Sequence, residues 1–318
     1  MQPGMARIDQ PARQKKPDRS GVAMTDTPAL IAELQRLAAI LEGALPRPAP
    51  SPDFATGLAF RWRARPQGGG WLETVRDLSP IRLADLVNVE RQKAEIRRNT
   101  EQFVRGLPAN NVLLTGSRGT GKSSLVKALL NEFAADGLRI VEVDKHRLAD
   151  LPDIVEQLAA RAERFIVYCD DLAFGGDEAG YGALKTTLDG SLHAGVDNVV
   201  VYASSNRRHL VPEFNADNLE AHFVENGEIH PGEGVDDKIS LSDRFGLWLT
   251  FYPNSQDDYL AAVAMWLVKF GHELNEETRS AALQWALLRG NRSSRTASQF
   301  ARDWAGRQGL KQRASSAP

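Results

Sequence analysis

The sequence predicts an α/β protein: a parallel sheet of five strands with helical crossovers, followed by a small helical domain. Three observations predict it. From about Ile81, short β-branched runs alternate with longer stretches whose apolar residues recur three or four apart, as a parallel sheet requires. A glycine-rich segment, Gly116 to Ser123, joins the first run to the first complete helical stretch after it. Pro253 closes the alternation, and three helical patterns follow it.

Residues 1–23 are polar, proline-bearing and mildly basic, with too little apolar surface to fold. They are expected to be a disordered tail, and Met24 is an alternative start. Leu30, Ile31, Leu34, Leu37, Ile40 and Leu41 recur at helical spacing from Pro28 to Leu45, and the prolines from Pro46 to Pro52 end the pattern. This gives one amphipathic helix and a linker within residues 1–53. An arm over 54–80 carries Phe60, Trp62 and Trp71 around Gly68, Gly69 and Gly70, a composition that fits a short hairpin.

The core is expected over residues 81–252. Its strands are Asn111 to Thr115, Leu138 to Val143, Phe165 to Asp170, Asn198 to Ala203 and Leu247 to Phe251. Its helical stretches include Lys122 to Asp136, Leu151 to Ala162 and Tyr181 to Ala194. Three helices capped near Ser255, Asn275 and Ser294 form a helical domain over 253–308, and Ser255 with Asp258 resembles a capping box. A second disordered tail is expected over 309–318.

Composition limits the function classes. The chain has 318 residues, 42% hydrophobic and 25% charged, with formal net charge -2. There is no global cationic excess to draw it onto nucleic acid or anionic lipid. The loop from His209 to Lys238 carries eight acidic residues and no arginine, so it repels phosphate backbones. It reads as a solvated loop or an acidic surface for a partner. The single cysteine, Cys169, lies in an apolar run and cannot form an intrachain disulfide, which suits a reducing compartment. No apolar stretch is long enough for a membrane helix and no signal core follows the amino terminus, so the expected location is cytoplasmic. His222 and His230 lack ligand spacing, which leaves magnesium as the expected metal.

The chemistry starts at Gly116-Ser117-Arg118-Gly119-Thr120-Gly121-Lys122-Ser123, which satisfies G-x-x-x-x-G-K-[ST] between a strand and a helix. Glycines let the loop curl with backbone N–H groups turned inward onto phosphates, and the helix that follows adds its positive end. Lys122 supplies a cation for the β and γ phosphates, the Ser123 hydroxyl is placed to ligate magnesium, and Ser124 completes the loop. A dinucleotide fingerprint fails here, because Ser124 stands where its third glycine belongs.

Phe165 to Asp171 is an apolar strand ending in two carboxylates. Asp170 would hold magnesium and Asp171 would polarise the attacking water, although such a pair also suits a turn. Val199 to Asn206 is a further apolar strand ending in an amide, either a water-orienting group or a turn residue. Arg244 precedes the fifth strand, where it could reach a phosphate of a neighbouring subunit or pair with Asp243 on the surface. Arg292 and Arg295 flank the start of the last helix, where one guanidinium could meet nucleotide.

The order phosphate loop, Asp170-Asp171, Asn206, Arg244 and a helical region with Arg295 resembles the AAA+ ATPases. Three runs look like the bacterial group catalogued as domain of unknown function 815. They are Thr115 to Lys127, Ser204 to Leu210, and Lys238 to Gly246. The likeness covers about residues 54–308. It implies an AAA+ P-loop αβα sandwich with strand order 5-1-4-3-2, a helical lid, and nucleotide at the boundary between subunits of a ring or arc. It implies ATP and magnesium as cofactors, Walker A at Gly116 to Ser123 and Walker B at Asp170 and Asp171. Sensor 1 would be Asn206, the arginine finger Arg244, and sensor 2 Arg295 with Arg292 as the alternative.

Two departures from the broader AAA+ pattern bear on activity. Most members carry Glu where Asp171 stands, and the missing methylene draws the carboxylate back by about 1.5 Å. Threading members carry an aromatic pore loop after the second strand, where this chain reads Asp144-Lys-His-Arg-Leu148, and Phe174-Gly175-Gly176 is the other candidate. The expected function is an oligomeric ATPase that couples nucleotide state to the remodelling or regulation of a protein partner. The alternatives are a slow ATP-gated switch or loader and, third, a small-molecule P-loop kinase, for which no acceptor site is recognisable.

Overall fold

All five β-branched runs form strands, each within two residues of the expected bounds at either end. The structure, a computed structural model, describes residues 27–44, 52–65, 68–172, 178–189, 197–206, 222–223, 229–230 and 241–315. The chain divides into two units, residues 1–50 and 51–318. Of the first unit the described part is helix α1, Thr27–Ala44, whose Leu30, Ile31, Leu34 and Leu37 are exposed. The tail expected over 1–23, the segment Phe174 to Gly176 and most of the acidic loop lie outside the described residues.

In residues 51–318 the strands are β1 Ala59–Ala64, β2 Gly70–Thr74, β3 Val112–Gly116, β4 Leu138–Val143, β5 Arg164–Cys169 and β6 Val199–Ser205. A two-residue pair follows, β7 His222–Phe223 with β8 Ile229–His230, in register His222 opposite His230, and then β9 Leu247–Phe251. The main sheet has the order β2-β1-β4-β5-β6-β3-β9. Counting β3, β4, β5, β6 and β9 as one to five, the expected order 5-1-4-3-2 is present, and those five strands are all parallel.

The expectation of a five-stranded sheet is corrected to seven. The arm is indeed a hairpin, β1 antiparallel to β2, but it also joins the sheet, with β1 parallel to β4 in register Phe60 opposite Val141. Period-two alternation explains why it stays there: Phe60, Trp62 and Leu72 point into the core while Arg61 and Arg63 pair outside with Glu142 and Glu73.

Helices cover both faces. α2 Glu90–Val104 and α3 Lys122–Phe133 bury Ile96, Phe103, Leu125 and Leu129 against one face. α4 Leu151–Ala159 and α5 Glu178–Leu188 bury Leu151, Ile154, Leu158 and Leu184 against the other. Each central strand serves both: Phe165, Val167 and Cys169 of β5 face α4 and α5, while Ile166 and Tyr168 face α2 and α3.

Beyond β9 come α6 Gln256–Lys269, α7 Glu276–Arg289 and α8 Ser294–Ser315, packed around Tyr259, Val263, Leu267, Ala282 and Phe300. Ser255 and Asn275 cap α6 and α7 as expected, and the Ser255–Asp258 capping box is formed. The cap of α8 is corrected by one residue: the Ser293 hydroxyl accepts from the Thr296 N–H. The tail expected from residue 309 is also corrected, because α8 runs on to Ser315 through Leu310, Lys311, Gln312 and Arg313, all strong helix formers. Among the described residues no helix is long and apolar enough to cross a membrane.

Candidate functional site

β3 delivers the chain to a tight loop at the carboxyl edge of the sheet. Gly116 sits at φ +130°, and a Cβ there would stand 1.9 Å from the Phe251 carbonyl oxygen, so only glycine lets the loop leave β3 beside β9. Gly121 at φ +102° turns the loop into α3. The Thr120 hydroxyl donates to the Ser117 carbonyl at 2.9 Å and closes the turn.

Lys122 opens α3 and is 5% exposed. Its ammonium donates to the carbonyls of Gly116 at 2.6 Å and Ser117 at 2.8 Å, and to Asn206 Oδ1 at 3.1 Å, all neutral oxygens. Burial pushes its pKa down to about 8, opposed by the charges of Asp170 and Asp171 and aided by those of Arg118 and Arg295.

Beside the loop, Asp170 and Asp171 leave the end of β5. The Ser123 hydroxyl lies 3.1 Å from both Asp170 carboxylate oxygens. Asp171 adopts φ +55°, left-handed for a residue with a Cβ. Its carboxylate accepts from Asn206 Nδ2 and lies 3.7 Å from Arg118 Nη2 and 3.8 Å from Lys145 Nζ. Lys122, Asn206 and Asp171 thus form one chain of polar contacts.

These groups face a cleft of about 660 Å³. One wall is the loop with Asp170, Asp171, Ser204 and Asn206. An apolar wall is formed by Ile81, Leu86, Val87 and Val89 before α2 together with Ala262, Met265 and Trp266 of α6. α8 contributes Ser294, Arg295 and Ser298. The helical bundle reaches the core through Lys269 to Asp85 at 2.8 Å, Asn88 Nδ2 to the Asp258 carbonyl at 2.8 Å, and the Arg295 N–H to the Gly119 carbonyl at 3.4 Å.

The structure therefore brings Arg118, Gly119, Thr120, Gly121, Lys122, Ser123, Ser124, Asp170, Asp171, Asn206 and Arg295 to one cleft, with Gly116 and Ser117 at the loop base. Arg244 is not among the residues that line it. Its Nε pairs with Asp189 Oδ1 at 2.5 Å just beyond α5. Arg292 lines a separate groove with Leu283 and Leu287. Sequence reasoning missed the apolar wall, whose members are scattered over two segments. It also missed Lys145, Tyr168 and Ser204, although the period-two spacing of Tyr168 and Asp170 was a usable signal.

A phosphate-loop sheet in the order 5-1-4-3-2, followed by a helical bundle, is the fold of the AAA+ ATPases. Within that class the chain belongs to the family described as "Protein of unknown function (DUF815)", whose model matches residues 55–308. Two curated relatives are Replication factor C large subunits. That of Sulfolobus acidocaldarius is 28% identical over 116 residues, 35% of this chain and 26% of the relative. That of Staphylothermus marinus is 32% identical over 119 residues, 34% of this chain and 27% of the relative. The chain thus spans about a quarter of the length of these relatives.

Similar solved structures include the Thermotoga maritima RuvB Holliday junction branch migration motor, with TM-score 0.46 and 16% identity over 70% of this chain and 63% of that one. The FIGL-1 AAA domain in complex with ADP has TM-score 0.48 and 15% identity over 73% of this chain and 74% of that one.

Proposed function

We propose that this chain is an ATPase that binds ATP with magnesium in the cleft and couples nucleotide state to the position of its helical bundle, which acts as a lid on a protein partner. One observation carries the reading: a buried lysine ammonium, bonded among the described residues to neutral oxygens only, shares a cleft with a serine hydroxyl, two carboxylates and an amide. A desolvated cation bonded to neutral oxygens fits an anionic phosphate. The hydroxyl of Ser123 against Asp170 is a hard-oxygen pair of the kind magnesium takes.

In this reading the loop N–H groups of Gly119, Thr120, Gly121 and Lys122 cradle the phosphates, and the Lys122 ammonium exchanges the Gly116 and Ser117 carbonyls for phosphate oxygens. Ser123 and Asp170 hold the magnesium, which supplies charge neutralisation to the transferred phosphoryl group when bound. Asn206 leaves Asp171 to orient water, and Asp171 accepts its proton. Arg295 stands at the lid side of the phosphates, and the apolar wall takes the base. Arg244 completes the site of a neighbouring copy in a ring or arc, which requires it to exchange Asp189 for phosphate.

A second reading, a slow ATP-gated switch or loader, is favoured by a specific observation. Asp171 is held by Asn206, Arg118 and Lys145, so its carboxylate must be released before it can serve as a base. Basal turnover is then low until a partner or neighbour frees it. The acidic run from His209 to Lys238 is the surface we assign to such a partner.

Steady-state hydrolysis measured across a protein dilution series tests the reading. Specific activity should rise with concentration and vanish in Lys122→Ala, with nucleotide affinity falling on the order of a hundredfold as buried charge pairing is lost. Arg244→Ala should bind ATP normally and lose the concentration-dependent activity. Activity that is independent of concentration and survives Arg244→Ala would sink the trans contact, and unaltered binding by Lys122→Ala would sink the site.

A further inference from the structure

The two oxygens of the Asp170 carboxylate stand in different surroundings. Oδ1 accepts from the Tyr168 hydroxyl at 2.9 Å, from the Ser204 hydroxyl, and from the Asp171 N–H at 3.0 Å. The Ser123 hydroxyl lies 3.1 Å from both oxygens and is the donor that Oδ2 has among the described residues. A carboxylate oxygen has about two lone-pair directions, so Oδ1 is saturated by protein donors while Oδ2 keeps capacity on the side of Ser123.

The backbone fixes this asymmetry. Tyr168 is two residues before Asp170 on the same side of the β5 pleat, and Cys169 pairs with Ala203, which sets Asp170 beside Ser204 at the end of β6. Both donors are buried, Tyr168 at 4% exposure and Ser204 at 2%. Ser204 also accepts from the Asp171 N–H at 3.2 Å, so one hydroxyl ties both acids to β6.

We propose that Tyr168 and Ser204 are positioning residues for magnesium: by occupying Oδ1 from two strands they hold the Asp170 carboxylate in one rotation, with Oδ2 presented to the metal beside Ser123. The proposal rests on the nucleotide reading of the cleft and adds residues to it. Magnesium demands near-ideal octahedral geometry and tolerates little wandering of a ligand. Residues that orient a metal-holding carboxylate typically contribute ten- to a hundredfold to metal affinity.

The test uses the full chain and a fluorescent ATP analogue, titrated with magnesium chloride and, separately, held in EDTA. In Tyr168→Phe and in Ser204→Ala the magnesium needed for half-maximal tightening should rise about tenfold. Affinity in EDTA should match that of the unaltered chain, and excess magnesium should restore tight binding. Magnesium titrations that do not move in either variant overturn the proposal. Equal weakening with and without magnesium also overturns it, because it marks a general packing role. If Ser204→Ala fails to fold, Tyr168→Phe, which keeps the buried ring, decides alone. Lys122→Ala run in parallel separates the two levels: if it binds the analogue normally, the nucleotide reading falls, whatever Tyr168 does.

Discussion

Asp171 carries the most information of any residue in the cleft. Its length sets it apart from the Glu of most AAA+ chains, and the backbone adds a second reason for that choice. At φ +55°, aspartate is better tolerated than longer acids, because a short side chain can bond locally in the left-handed region. Its N–H is held by Asp170 Oδ1 and Ser204 Oγ, so the strained turn is anchored on both sides. Asn shares that tolerance, which makes Asp171→Asn a clean removal of charge with little backbone cost. We expect this variant to hold ATP within about threefold of the original affinity while single-turnover hydrolysis falls by about a hundredfold, the usual contribution of a positioned base. Hydrolysis at the original rate in Asp171→Asn would remove Asp171 from the chemistry and leave it a turn residue. The sequence located this residue but not its conformation, since φ at the end of a strand is set by what the next segment must reach.

Among the elements, the β1–β2 hairpin shows where sequence reading stops. Its strands were legible as a hairpin because aromatic residues flank a run of glycines, a local signal. That it extends the main sheet beside β4 was not, because edge pairing depends on which strand leaves its N–H and C=O groups open, a property of the whole topology. The central strands β3, β5 and β6 were legible for the opposite reason: each is an apolar run that contributes buried residues to both faces of the sheet. In the cleft, the contiguous loop was legible, whereas the apolar wall was not, since Leu86 and Trp266 are 180 positions apart by their numbers. The hairpin is anchored by Trp62, 3% exposed, whose indole N–H donates to Asp150 Oδ2 at 2.8 Å. Trp62→Ala removes that ring and leaves Asp150 without its donor, and should lower unfolding stability by about 3–5 kcal/mol. Denaturant unfolding followed by circular dichroism measures it; a loss below about 1 kcal/mol would mean that the hairpin is a dispensable edge.

At the scale of the whole 51–318 unit, the arrangement of cores decides what can move. The sheet and its helices share two large apolar clusters, while α6, α7 and α8 have a third of their own. Polar contacts that join the bundle to the core are Lys269 with Asp85, Asn88 with the Asp258 carbonyl, and Arg295 with the Gly119 carbonyl. Separate cores joined by such contacts favour rigid-body motion over internal deformation, because surface ion pairs exchange at little cost whereas packed interiors do not. Trp266 reports on that motion: it lines the cleft, and the Lys269 ammonium lies 4.8 Å from its ring centroid while also bonding Asp85. Binding of ATP with magnesium should therefore change tryptophan emission, and Trp266→Phe should abolish most of the change. Trp248→Phe, a substitution on β9 outside the cleft lining, should leave it intact. A nucleotide-dependent change that persists in Trp266→Phe and disappears in Trp248→Phe would place the moving boundary at the edge of the sheet, and the bundle would then be a fixed wall of the cleft and not a lid.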